Sequence, residues 1–380
     1  MIKLSTAARA DNVINEPRNA ANSAFGPAVD IIPEVWAGHT DQLSHWPNVA
    51  SQPVCCANAG TLVKGEAETG AGGSAVAAEA PVDDWTMTEY AHDSLVDTIR
   101  DKVSPLRQHF DLRFPNVRPL QKDYRSRAGE LKVAPLNGGG GAYPGTLGAA
   151  FDFRMRFLID PDYVPYVAIN AFAARPDYFE AVHEVIRHAS EAAEGFTDPL
   201  DLDRACWALA LSTEVRRAGW WPGSPLTLLR DSDEFTAERL LSLIPDDASR
   251  QLQELNNLTQ EHLFPRLTAP FFLGPAFEGS MLCRADADVI SNGLLLDFKT
   301  AVKGNALSRE DLYQLLGYTL FDRSDRYGIN RIGIYSARFG ALISWDLEPT
   351  LQLLAGEPVS LAAERERVWE LLGGPAAPTK

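Results

Sequence analysis

Cysteine is scarce in this chain: Cys55, Cys56, Cys206 and Cys283 are the four in 380 residues. No two form a CxxC pair and no histidine stands at zinc-finger spacing, so a zinc module of that kind is excluded. Four are also too few to staple a chain of this length. Reduced thiols and a cytoplasmic setting are the expectation. Long apolar runs are missing as well: no eighteen apolar residues are consecutive, and the N-terminal residues up to Asp11 hold no stretch of signal-peptide length. Neither export nor a membrane span is expected. Positive charge is in short supply, with 35 Lys and Arg against 51 Asp and Glu, a formal net charge of −16. That argues against holding a polyanion by a broadly basic surface and leaves only a local groove.

What remains is an ordinary globular composition, 45% hydrophobic and 23% charged, long enough for two or three domains. Residues 1–86 are rich in Ala and Gly, as in Glu66 to Ala75, and hold no lasting helical or strand period. They read as a largely disordered segment or as an extension ahead of a true start at Met87. From Thr88 to Phe114, Leu95, Ile99, Val103 and Leu106 recur at helical spacing, with Pro105 as a kink and Pro115 as a stop. Asn137 to Ala142 is a glycine-rich loop without the Gly-Lys-Ser/Thr ending of a phosphate loop, hence a hinge or linker. Helical patterns follow at 147–158, 176–194, 200–218 and 234–268.

After Pro270 the period changes. Short apolar runs at 271–273, 277–290 and 294–299, bounded by Gly, Ser and Asn, predict three strands. A helix over 308–322, strands over 329–337 and 342–345, and a helix over 359–372 complete the order. The division expected is therefore 1–86, a mainly helical region 87–268, and an α+β core 269–380 with a small mixed sheet flanked by helices.

Within that core, Asn292-Gly293 between apolar runs is a strong hairpin signal, because both central residues of a type I′ turn need positive φ. With those two as the loop, Ser291 faces Leu294, Ile290 faces Leu295, Val289 faces Leu296, and Asp288 falls opposite Asp297. Alternate residues share a face, so Asp286, Asp288, Asp297 and Lys299 all project to one side. Opposed like charges weaken a sheet, and a divalent cation would relieve them. Mg²⁺, with Mn²⁺ as a second fit, takes hard oxygen ligands two or three at a time and keeps waters, and a neighbouring lysine suits phosphodiester hydrolysis.

Asp288, then Asp297-Phe-Lys299, then Gln314-Leu-Leu-Gly-Tyr318 resembles the PD-(D/E)XK nuclease superfamily, particularly its RecB-type branch, over about residues 271–345. The resemblance implies a restriction-endonuclease-like core and a metal-dependent nuclease acting on nucleic acid, DNA in the first instance, in repair, in processing of invading DNA or in phage defence. It assigns Asp288 and Asp297 to the metal, Lys299 to the attacking water or the transition state, and Gln314 and Tyr318 to the substrate. Asp286 competes with Asp288 for its place. An upstream helix supplies a further acid in that family, and two residues fit: Glu214, set as a catalytic candidate, and Asp152, set as a metal ligand. The histidine that the RecB branch often carries there is missing from the helix of Gly145. A partner protein could supply the basic surface that the chain lacks, and a catalytically inactive binding or assembly module is the alternative.

Other motifs carry less. His183 and His188 are five apart and point some 140° from each other on a helix, unlike a zinc-binding pair. Trp220-Trp221 reads as a core anchor. Arg107, Arg113, Arg118, Lys122, Arg125 and Arg127 form a basic cluster in an acidic chain.

Overall fold

Proline and short polar caps divide the chain into its helices. The computed structural model describes residues 94–135 and 142–375. The expectations for 1–86, for Met87 and for the run Gly138–Gly141 lie outside them. Among the described residues five helices begin on proline, whose fixed φ and missing N–H suit the first helical position: α2 (Pro105–Arg113), α4 (Pro144–Ile159), α6 (Pro176–Ala193), α7 (Pro199–Ala218) and α8 (Pro225–Asp231). Ser94, Ser104, Asp198 and Ser224 cap α1 (Leu95–Arg100), α2, α7 and α8 by accepting a backbone N–H. Pro105 thus starts a second helix where a kink in one helix was expected, and Val103, read as a core position, is 75% exposed in the connecting turn. The helices α3 (Arg118–Arg127), α5 (Tyr166–Ile169), α9 (Ala237–Leu241) and α10 (Asp246–His262) complete the set before the sheet. The pattern over 234–268 is two helices, because Pro245 has extended backbone and stands just ahead of the second.

Five strands follow in spatial order β1-β2-β3-β4-β5: β1 (Phe271–Leu273), β2 (Val289–Ser291), β3 (Leu294–Lys299), β4 (Arg331–Ser336) and β5 (Ala341–Asp346). β3 and β4 are parallel and joined by α11 (Arg309–Phe321), while the other neighbours are antiparallel. The fold class is α+β with a mixed sheet. Asn292 (φ 46°) and Gly293 (φ 76°) form the turn, and β2 and β3 pair as Ser291 with Leu294, Ile290 with Leu295 and Val289 with Leu296. Residues 277–290 are mostly not strand. Glu278–Met281 is a 3₁₀ turn and only Val289–Ser291 pairs as a strand. After β5 come α12 (Leu347–Ala355), which the pattern did not show, and α13 (Leu361–Leu371).

Both faces of the sheet are covered. Val289, Leu294, Leu296 and Tyr335 belong to one apolar cluster with α4–α10. Ile290, Leu295, Ile332, Ile334 and Ile343 belong to another with α1–α3 and α11–α13. Each of Leu294, Leu295 and Leu296 is at most 2% exposed, worth roughly 2 kcal/mol apiece by area removed from water. Residues on either side of 268 share both clusters, and the described residues fall within one compact unit, 83–380. Among the described residues no helix is long and apolar enough to cross a membrane.

Candidate functional site

β3 changes character where it leaves the apolar clusters: after three leucines come Asp297, Phe298 and Lys299. Side-chain alternation sends Phe298 to the helical side, where it meets Phe151 edge-on, and leaves Asp297 and Lys299 on the side of α11. Asp288 precedes β2. Its Oδ2 accepts the Phe298 N–H at 2.5 Å, so the carboxylate reaches across to the end of β3.

Lys299 is the hub. Its Nζ lies 2.8 Å from Asp297 Oδ2 and 3.2 Å from Asp311 Oδ1, and it donates to Gln314 Oε1 at 3.1 Å. Gln314 Nε2 donates in turn to the Tyr318 hydroxyl at 2.7 Å. Asp311, Gln314 and Tyr318 follow each other at three and four residues, along one face of α11. Burial opposes the lysine's charge, but Asp297 and Asp311 outweigh it and push its pKa above the ordinary value. That 2.8 Å contact satisfies Asp297 Oδ2, and among the described residues this buried oxygen has no further hydrogen-bond donor.

The third carboxylate comes from α4. Asp152 takes Arg156 Nη2 at 2.5 Å and Nε at 3.0 Å, and the same guanidinium stands 3.8 Å from Asp288 Oδ1. Arg156 Nη1 donates to the Tyr163 hydroxyl at 2.7 Å. Gly274 makes room for this. A Cβ there would come within 2.4 Å of Arg156 Nη1, and its φ of +58° is glycine's region. Asp286 sits at the rim, 42% exposed, 3.7 Å from Arg217.

The electrostatics follow from that packing. Burial, then Asp152 and Asp297, raise Asp288 well above the ordinary carboxylate range against the pull of Arg156. Burial raises Asp152 to about 6 even beside Arg156, with Asp286 adding to the rise. Asp297 is raised by burial against Lys299. Burial and then Asp297, Asp288 and Asp286 push the Tyr318 hydroxyl up. Five carboxylates meet three cations, Lys299, Arg156 and Arg217, so full ionisation would leave excess negative charge, which the raised pKa of Asp288 allows a proton to offset. On the α1 side, a cleft of about 210 Å³ lined by Val96, Ile99, Arg100, Lys299, Glu310, Asp311 and Gln314 opens onto the lysine.

Of the residues named from the sequence, Asp152, Asp286, Asp288, Asp297, Lys299, Gln314 and Tyr318 come together. Glu214 does not. Its carboxylate accepts the Thr146 hydroxyl between α4 and α7, and burial alone raises its pKa, with no member of the acidic cluster acting on it. Asp311 was not anticipated, and neither Arg156 nor Tyr163 was assigned to the site. Asp311 could have been found, since it lies three residues before Gln314 on the same helix face.

Among the described residues no three Asp, Glu, His or Cys side chains are gathered tightly enough to form a full metal-ligand set. Mg²⁺ needs fewer, since it binds through one or two carboxylates and keeps its waters. The oxygens that fit are Asp288 Oδ1, whose nearest cation is 3.8 Å away, and Asp297 Oδ2, which Lys299 holds at 2.8 Å and would share with the ion. Compared with family models, curated proteins and solved structures, the chain matches none.

Proposed function

We propose that this chain is a Mg²⁺-dependent nuclease built on a restriction-endonuclease-like core, acting on nucleic acid and DNA first of all. The observation that carries the reading is the juxtaposition of two mutually repelling carboxylates, Asp297 buried and Asp288 partly buried, with a lysine at the end of one strand. A fold gains nothing by burying that repulsion, and a divalent cation converts it into a binding site. Asp288 and Asp297 would hold the ion, and Mn²⁺ would serve as well. Bound there, it supplies Lewis-acid activation and charge neutralisation at a phosphodiester.

The chain's own groups do the rest. Lys299, its pKa raised, keeps its proton, so it acts as a fixed positive charge and hydrogen-bond donor toward an anionic phosphate and not as a base. Gln314 holds the lysine's far side, and Tyr318, buried and stacked on Phe277, positions Gln314 instead of meeting substrate as the sequence suggested. Asp152 replaces Glu214 as the upstream acid, kept in place by Arg156.

The test is cleavage of labelled single- and double-stranded DNA and RNA with Mg²⁺ or Mn²⁺, comparing the wild type with Asp297→Ala and Lys299→Ala. Cutting by the wild type and at least a hundredfold loss in both variants is expected. A second reading, an inactive binding or assembly module, is favoured by one observation: Arg156 already offsets Asp152 and reaches toward Asp288, as an internal cation does when no metal is needed. Absence of cutting together with absence of metal binding would select it.

A further inference from the structure

The basic cluster noted at 107–127 separates into two kinds. Arg107 is paired with Asp111 and Glu310, Arg113 with Glu357 and Glu364, and Arg127 with Asp123. Arg118, Lys122 and Arg125 are exposed and have no ion-pair partner among the described residues. They stand at i, i+4 and i+7 on α3.

At about 100° per residue these three lie on one flank together with Gln121, while Asp123 and Arg127 lie on the other, beside Trp345. Between the flanks, Leu120 and Tyr124 are buried. The basic flank points to solvent, and its edge at Gln121 abuts the loop beside the site. Gln121 Nε2 donates to Leu307 O at 3.1 Å, and the Tyr124 hydroxyl donates to Gly304 O at 2.8 Å. Both carbonyls belong to the loop that leaves β3 just after Lys299 and enters α11. Lys303, on the same loop, is exposed and also has no ion-pair partner among the described residues.

We infer that Arg118, Lys122, Arg125 and Lys303 form the track on which duplex DNA lies, by its phosphate backbone, as it enters the site. The inference rests on the nuclease reading above and adds where the substrate is held. In a chain with net charge −16, a flank with four unpaired cations is where a polyanion can approach with least repulsion. From Arg118 to Arg125 the charges span about 10 Å along a rigid helix axis, suiting a stiff backbone. The flank carries no aromatic side chain on which an unpaired strand could stack.

The experiment measures binding of a labelled DNA duplex to Asp297→Ala protein by fluorescence anisotropy, between about 50 and 200 mM salt. It is repeated with Arg118→Ala, Lys122→Ala and Arg125→Ala added together, and separately with Arg127→Ala added. The triple change should weaken binding about ten- to a hundredfold regardless of sequence and reduce the log–log salt slope by about 2 to 3, one for each lost phosphate contact. Arg127→Ala should leave the slope unchanged. All four side chains are exposed, so melting curves should coincide with those of the parent protein. Unchanged affinity and slope in the triple variant would overturn the track. A single strand bound more tightly, with the same dependence on the three residues, would overturn the duplex. If the wild type cuts duplex DNA while the triple variant binds and cuts as before, the track alone fails. If the wild type neither binds nor cuts any nucleic acid, the nuclease reading fails and the track with it.

Discussion

Gly274→Ala tests whether Arg156 is held as tightly as its contacts imply. Gly274 has φ +58°, its N–H donates to Asp288 O at 3.0 Å, and an added Cβ would meet Arg156 Nη1 at 2.4 Å, Arg156 Cζ at 3.2 Å and the Tyr163 hydroxyl at 3.3 Å. Two costs add. The left-handed backbone costs an L residue about 1–2 kcal/mol. The guanidinium, gripped by Asp152 and Tyr163, must also move, and complete loss of a buried pair costs about 3–5 kcal/mol. Arginine is long enough to yield in part, so a total of about 2–5 kcal/mol is expected. Gly223→Ala is the control, because Gly223 has φ +81° and nothing within 4 Å of an added Cβ. It should cost the backbone part alone, about 1–2 kcal/mol. Urea unfolding of both variants, read as midpoint shifts at constant slope, separates the two costs. Equal losses would show that Arg156 moves aside freely, and its role in fixing Asp152 and Asp288 would fall.

Three further outcomes are expected. Mg²⁺ at a hundred times its dissociation constant adds about 2.7 kcal/mol and should raise the melting midpoint by about 5 °C; Asp297→Ala should abolish the rise, and a rise retained in that variant would place the ion elsewhere. Asp152, raised from 3.8 to about 6, binds a proton in the folded state that the unfolded chain has released. In chelator its contribution to stability therefore falls as pH climbs from about 4 to above 6, by at most about 3 kcal/mol. Titrating the unfolding free energy of wild type against Asp152→Asn isolates that contribution, and parallel profiles would refute it. Glu214→Gln should keep cleavage within about twofold of wild type while Asp152→Asn loses at least a hundredfold, so the reverse order in a rate assay would restore Glu214 to the site.

The hairpin was legible down to its register because its information is local: a positive-φ pair, Asn292-Gly293, and apolar residues on either side fix which residue faces which. The α11 face was legible for the same reason, since Gln314 and Tyr318 are one helical turn apart. The upstream acid was not. Glu214 and Asp152 are both acids on helices with a nearby arginine, and what separates them is the angle at which α4 and α7 pack on the end of the sheet, a tertiary quantity. An i, i+4 pair such as Asp152 and Arg156 looks the same in sequence whether water or a second carboxylate stands beside it. The helix Leu347–Ala355 was missed because it starts directly at the end of β5, with no loop residues between them to mark the change of period.

β3 also ties the whole molecule to one reading of its register. Its even-numbered residues belong to the helical cluster and Leu295 to the other, so the strand is a wall common to two rooms. A slip of one residue would exchange the occupants, turning Asp297 and Lys299 into the apolar helical side and Phe298 out among the acids. Neither room can close around the wrong side of the wall. The two halves of the chain on either side of residue 268 are therefore bound to melt together, in one transition, and the acidic site exists only once both are in place.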